Sequence, residues 1–269
     1  IEQSRVLGKL RKTSMSVEYT IACFITSHGF GHAARTCAIL NEVAMLKPGT
    51  RARLFTEVPG WFFKESLQIP HTLISCKADV GLVQQSVFAH DVSATLAALV
   101  DYFPLDDSEV DELARQVEGC NFVFCDVSPL GIAVAKRAGL KAVLFENFGW
   151  DWVYEAFLEE NPRFADPIDE IRNSYGQADL HIQSEPVCQR VEDLPLVPPS
   201  SRGPRCLPKV IRERLGVEPT QRLVLVSRGG NPKDFTFLPK LKNHPETVFL
   251  LTGGVREIRR ESNLLFIPY

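Results

Sequence analysis

The chain has 269 residues, 45% of them hydrophobic and 23% charged, with 30 Lys+Arg against 33 Asp+Glu for a formal net charge of −3. This balance is that of an ordinary globular protein; it excludes disorder, collagen and coiled coil and offers no broad basic field for nucleic acid or a membrane surface. No stretch approaches the ~18 consecutive apolar residues of a spanning helix and no cleavable secretory pattern precedes the first apolar run, so a cytoplasmic location is expected.

Residues 1–18, with Arg5, Lys9, Arg11 and Lys12 and little apolar periodicity, read as a flexible extension. The apolar run at 20–26 predicts a buried strand, followed by a glycine turn and a helix over 33–46 that ends near Pro48 and Gly49. Strands are predicted at 51–56 and 71–75, then one long helix over 83–102 stopped by Pro104. A helix over 107–117 carries Asp107 and Glu109 in its first turn, where the helix dipole favours acids. A strand at 122–125, a helix from Pro129 to near Gly139 and strands at 141–145 and 180–182 continue the alternation. Such βαβ alternation implies an α/β, Rossmann-like domain with a mostly parallel sheet, whose ligands sit beyond the carboxyl ends of the strands.

Residues 195–208 hold Pro195, Pro198, Pro199, Pro204 and Pro208 with Gly203, a composition that reads as an extended linker without a packed element. Beyond it a helix over 209–215 and strands at 222–226, 247–251 and 264–267 predict the start of a second Rossmann-like domain with about three parallel strands. The expected organisation is an extension (1–18), a first domain (19–194), a linker (195–208) and a partial, apparently truncated second domain (209–269). The seven cysteines are odd in number and include no C-x-x-C, which argues against a disulfide framework and a cysteine zinc site; most read as small buried hydrophobes.

Chemistry concentrates in loops after strands. The segment Ser27-His28-Gly29-Phe30-Gly31-His32-Ala33-Ala34-Arg35 combines a tight glycine turn with a helix start whose free N–H groups suit an anion. Gly29, Gly31 and Ala34 also match a loose dinucleotide fingerprint, with Glu57 as the ribose partner, so a nicotinamide-type oxidoreductase is one alternative. A histidine at this helix start is placed to act as a general base near neutral pH, and His32 takes that role. His28 reads as a local capping or packing residue, with ligand contact as its alternative. The intervening glycines prevent a regular helical His28 and His32 pair and no third ligand is evident, so no metal site is expected.

In Cys125-Asp126-Val127-Ser128-Pro129, Asp126 either supports the histidine across the sheet edge or caps the following helix. Glu146-Asn147-Phe148-Gly149-Trp150-Asp151-Trp152 offers Asn147, Trp150 and Asp151 as a lining for a sugar or other polar acceptor, or as anchors of the next helix. Glu185, after a further strand, could add to the same rim. In Ser227-Arg228-Gly229-Gly230-Asn231, the glycine pair Gly229 and Gly230 admits a phosphate and Arg228 could meet a diphosphate.

With these loops in place, the sequence resembles the UDP-glycosyltransferase/glycogen phosphorylase (GT-B) superfamily, and the order of the His28 to His32, Cys125 to Pro129, Asn147 to Asp151 and Arg214 to Gly230 segments particularly resembles the glycosyltransferase-like N-terminal region of arabinokinase-type proteins. The resemblance runs from Tyr19 to the end of the chain. It implies two facing Rossmann-like domains and sugar transfer from a nucleotide sugar, UDP-linked, to a hydroxyl acceptor, with no separate cofactor. His32 is then the base and Asp126 its support, His28, Gly29, Gly31 and Arg35 lie at the substrate, and Arg228, Gly229 and Gly230 begin a donor site whose remaining motifs the chain does not contain. Inactivity of so short a chain and a non-catalytic sugar- or nucleotide-binding module are the other readings, and homo-oligomerisation stays open.

Overall fold

The computed structural model describes residues 19–86, 89–227, 237–253 and 255–268. The extension at 1–18 and the Arg228, Gly229 and Gly230 turn lie outside the described residues.

The chain begins with β1 (Tyr19–Ile25), α1 (Phe30–Leu46), β2 (Thr50–Phe55), α2 (Gly60–Ser66) and β3 (His71–Ile74). A short hairpin, β4 (Gln84–Ser86) and β5 (Ala89–His90), leads to α3 (Val92–Tyr102) and α4 (Asp107–Gln116). Then come β6 (Phe122–Asp126), α5 (Pro129–Arg137), β7 (Ala142–Glu146), α6 (Trp150–Glu155), a 3-10 turn (Pro162–Phe164), α7 (Ala165–Tyr175), β8 (Leu180–Ser184) and β9 (Leu196–Val197). These strands form a seven-stranded sheet in the order β3-β2-β1-β6-β7-β8-β9, with every pairing parallel.

The two faces of the sheet follow from the two-residue period of a strand. In β1, Ile21, Cys23 and Ile25 face α1, which returns Ala33, Cys37 and Leu40 at helical spacing. Ala22 and Phe24 face the other way, toward Leu130, Ile132 and Val134 of α5 and Val110, Leu113 and Val117 from α4 and its end. Buried on both sides, β1 reads as an almost continuous apolar run, as a central parallel strand should. A third core, built from Val80, Leu96, Leu99, Val127, Trp150, Tyr154, Phe164 and Ile168, ties α3, α6 and α7 together.

From β1 the chain winds outward through β2 and β3, then returns to the other side of β1 with β6, pairing Ile25 with Asp126. The switch point of the sheet lies between β1 and β6, the place where open parallel sheets carry their ligand crevice.

The remainder comprises α8 (Pro208–Leu215), β10 (Arg222–Val226), α9 (Leu238–Leu241), β11 (Thr247–Thr252), β12 (Arg259–Glu261) and β13 (Leu264–Ile267). Its sheet has the order β10-β11-β13-β12, parallel except for β12, which pairs antiparallel with β13.

Several sequence expectations are corrected here. The helix predicted over 83–102 begins only at Val92: the hairpin precedes it, and Asp91 sets the start by accepting the Ala94 N–H at 2.8 Å. The linker is partly packed, because Leu196–Val197 pairs with Gln183 and Ser184 as the seventh strand. The second sheet has four strands, with β12 too polar to read as one. Helix α2 went unpredicted; seven residues are too few to show a period, and it forms by burying Phe62 and Phe63.

Candidate functional site

At the switch point, α1 starts on Gly29, whose φ of 94° favours glycine, and among the described residues the helix has no side-chain cap. An added Cβ at Gly29 or Gly31 would meet nothing within 4 Å, so the space before this turn is open. Behind it, His32, Arg35 and Thr36 share one face of α1 at i, i+3 and i+4 and converge on Asp126 at the end of β6.

The Asp126 carboxylate is fully buried. His32 Nδ1 lies 2.8 Å from Oδ1, Arg35 donates from Nη2 to Oδ1 at 2.5 Å and from Nε to Oδ2 at 2.8 Å, and the Thr36 hydroxyl donates to Oδ2 at 2.9 Å. Burial alone would raise the Asp126 pKa, but the Arg35 charge and then His32 outweigh it and hold the carboxyl at about 2. An ionised carboxylate at 2.8 Å favours the His32 tautomer with its proton on Nδ1, against Arg35 Nη2 at 3.2 Å from the same nitrogen, and that tautomer leaves Nε2 unprotonated. Asp126 is not the helix cap; Ser128 is, accepting the Gly131 N–H at 3.1 Å.

Between them, Val127 has a φ of 60°, which strains a β-branched residue. Its side chain is buried in the third core and its carbonyl accepts the Tyr175 hydroxyl at 3.0 Å, so packing and this bond hold the turn that separates Asp126 from the helix start.

Arg35 also donates to Asn147 Oδ1 at 2.6 Å, tying the loop after β7 to the loop after β1. With its side chain 11% exposed and its Nε, Nη1 and Nη2 on protein partners, Arg35 is a clamp within the site. Trp150 is 5% exposed, stacks on Tyr154 and donates its ring N–H to Asp79 at 2.8 Å, contacts that fit the helix-anchoring alternative. Asp151 stands in the first turn of α6, 3.4 Å from Arg172, with its carboxyl pushed up by desolvation. The Glu185 and Glu57 side chains are exposed, and Glu185 does not line the cavity described next.

Sequence reasoning missed a second polar group. Glu146, 5% exposed, accepts from Gln183 Nε2 at 2.8 Å and faces His181 Nε2 at 3.1 Å, and together with Phe148, Asp151 and Arg172 they line a cavity of about 160 Å³. It missed Asp79 too, which lies in a segment with no periodicity. Thr36 was legible, one helical turn beyond His32.

No protein-family model matches the chain. It is 27% identical over 243 residues to L-arabinokinase of Arabidopsis thaliana, covering 86% of this chain and 23% of that protein; the chain thus spans about a quarter of the length of the curated relative it matches. Among solved structures it is similar to the calicheamicin glycosyltransferase CalG4, with a TM-score of 0.56, 15% identity and coverage of 93% of this chain and 70% of that one. It is likewise similar to the spinosyn forosaminyltransferase SpnP, with a TM-score of 0.55 at 16% identity over 93% of this chain and 70% of that one. The Phytolacca americana UGT2 complexed with UDP-2fluoro-glucose and pterostilbene gives 0.52 at 11% identity, over 93% of this chain and 71% of that one. The fold is that of the GT-B glycosyltransferases.

Within this GT-B fold, the histidine in the first turn of α1 and the aspartate that ends β6 meet at the sheet's switch point. Among the described residues, no helix is long and apolar enough to cross a membrane.

Proposed function

We propose that the chain is the acceptor-binding part of a glycosyltransferase that moves a sugar from a nucleotide sugar, UDP-linked, to an acceptor hydroxyl. The observation that carries this reading is the partly buried His32, its Nδ1 2.8 Å from the buried Asp126 carboxylate at the carboxyl end of the sheet. His32 Nε2 takes the proton of the acceptor hydroxyl as its oxygen bonds to the anomeric carbon, and the bond from that carbon to the nucleotide diphosphate breaks. The imidazolium formed is stabilised by Asp126, which stays ionised because Arg35 and Thr36 hold it. The GT-B fold and the UDP-2fluoro-glucose complex of the Phytolacca americana UGT2 support the donor class. The seven unpaired cysteines suit a reducing compartment such as the cytoplasm.

The test is transfer from UDP-glucose by the full-length protein. His32→Ala should lower kcat by roughly 10²-fold or more, the usual share of a general base, and Asp126→Asn should follow it because the tautomer is lost. Unchanged kcat in both variants overturns the base assignment. NAD binding that weakens on Glu57→Ala, with no response to UDP or UDP-glucose, would instead favour the oxidoreductase reading.

A further inference from the structure

Beside His32 and Asp126 stands a second histidine and carboxylate. The His28 side chain is 33% exposed and its Nε2 lies 3.3 Å from Oδ1 of Asp79, whose side chain is 3% exposed. Trp150 satisfies Oδ2 of Asp79, whereas Oδ1 has no hydrogen-bond partner among the described residues. A buried carboxylate oxygen left without a donor is costly, so something must hold it there. Its segment is fastened on both sides: the Ser128 hydroxyl donates to Ala78 O at 2.7 Å and the Tyr154 hydroxyl to Gly81 O at 2.8 Å. Gly81 is shaped to the imidazole, since a Cβ there would come within 2.1 Å of His28 Nε2.

The two imidazoles belong to one wall. His28 meets the edge of Trp150 at 5.5 Å between centroids, Trp150 meets Phe148 at 5.2 Å, and Phe148 meets His32 at 5.7 Å. The open space before Gly29 and Gly31 lies between the two histidines along the chain.

We propose that His28, oriented by Asp79, is a second substrate-contacting residue of this site, and that the acceptor is a polyhydroxylated molecule, a sugar or polyol, with one hydroxyl on His32 and another on His28. The proposal rests on the acceptor-site reading above. His28 Nε2 faces Asp79 Oδ1 at 3.3 Å without closing a hydrogen bond to it; a proton held on that side leaves Nδ1 as the acceptor, as a proton on Nδ1 leaves Nε2 of His32. An acceptor with a single hydroxyl would satisfy one imidazole and strip water from the other, a mismatch that polar sites reject strongly.

The experiment is a ring-nitrogen NMR titration of the full-length protein, labelled with ¹⁵N-histidine, using D-glucose, D-xylose and myo-inositol as polyol probes and p-nitrophenol as the single-hydroxyl probe. A polyol should move the His28 and His32 resonances together, and His28→Gln and Asp79→Asn should each weaken its binding roughly tenfold, the size of one hydrogen bond. The wild-type titration needs no variant, so a misfolded mutant cannot mask the result. Movement of His32 alone, with His28→Gln binding polyols as wild type does, overturns the proposal and leaves the base reading standing. Response to p-nitrophenol but to no polyol overturns the acceptor class; response of neither ring to any probe sinks the proposal and the acceptor-site reading together.

Discussion

At Asp126 one buried carboxylate accepts from a histidine, an arginine and a threonine of the same helix face. Its folded pKa, about 2, lies below that of a free aspartate. A depressed carboxyl stabilises the fold fully above the unfolded value, near 4, and loses that contribution as pH falls toward the folded value. Urea unfolding of wild type against Asp126→Asn should therefore show the wild-type advantage at pH 6 shrinking between about pH 4 and pH 2; an advantage independent of pH would contradict the charge pairing. Thr36→Val leaves Asp126 Oδ2 with Arg35 Nε alone among these donors and should cost about 1–3 kcal/mol of unfolding free energy. The i, i+3, i+4 spacing of His32, Arg35 and Thr36 stands in the sequence. The βαβ order also places Asp126, 94 residues on, at the same sheet edge as His32; that Arg35 and Thr36 share this target does not stand there.

At the scale of elements, the loops after β1, β6 and β7 carry the site and the packing beneath them sets its precision. Helix α5 approaches β1 and β6 so closely that a Cβ at Gly131 would sit 2.7 Å from Phe24 Cβ and 2.8 Å from Cys125 Sγ. Gly131→Ala should destabilise by about 1–3 kcal/mol through this overpacking, read as a lower denaturant midpoint at unchanged m-value; a stabilised variant would show that the helix can shift. The parallel strands and the α5 helix with its Pro129 start and Gly139 end were legible, since long periodic runs and punctuation residues are local signals. The hairpin before α3, the short α2 and the two-residue β9 were not, because tertiary burial and sheet pairing form them where local propensity is weak.

For the whole molecule, the segment after β9 is fastened to the first sheet's helix layer. Arg202 lies over the Phe62 ring at 4.9 Å and donates to the Ser66 hydroxyl, 136 residues away in sequence. Arg205 pairs with Glu65 at 3.7 Å. The cysteines report on the integrity of the core. Cys23, Cys37, Cys76, Cys120 and Cys125 are buried, and burial pushes the Cys37 thiol up to about 11 and Cys76 to about 12, whereas Cys188 is exposed and Cys206 partly so. A thiol reagent at pH 7.5 should label Cys188 first and Cys206 next, with the five buried thiols reacting only on unfolding; rapid labelling of more than two would mean that the core opens.

The sequence by itself determined the class of the fold, the βαβ order around a buried central strand, and the loops in which His32, Asp126 and Asn147 would be found, because these depend on periodicity and on residues that punctuate the chain. Only the tertiary structure decided which groups meet. It chose between the two readings of Asp126 by setting it 2.8 Å from His32, turned Arg35 and Trp150 inward to support the site, and set Asp79 behind His28 from a segment without any pattern of its own. The physical reason is that a buried charge is tolerable only where donors from distant parts of the chain converge on it, and that convergence is a property of the packed layers.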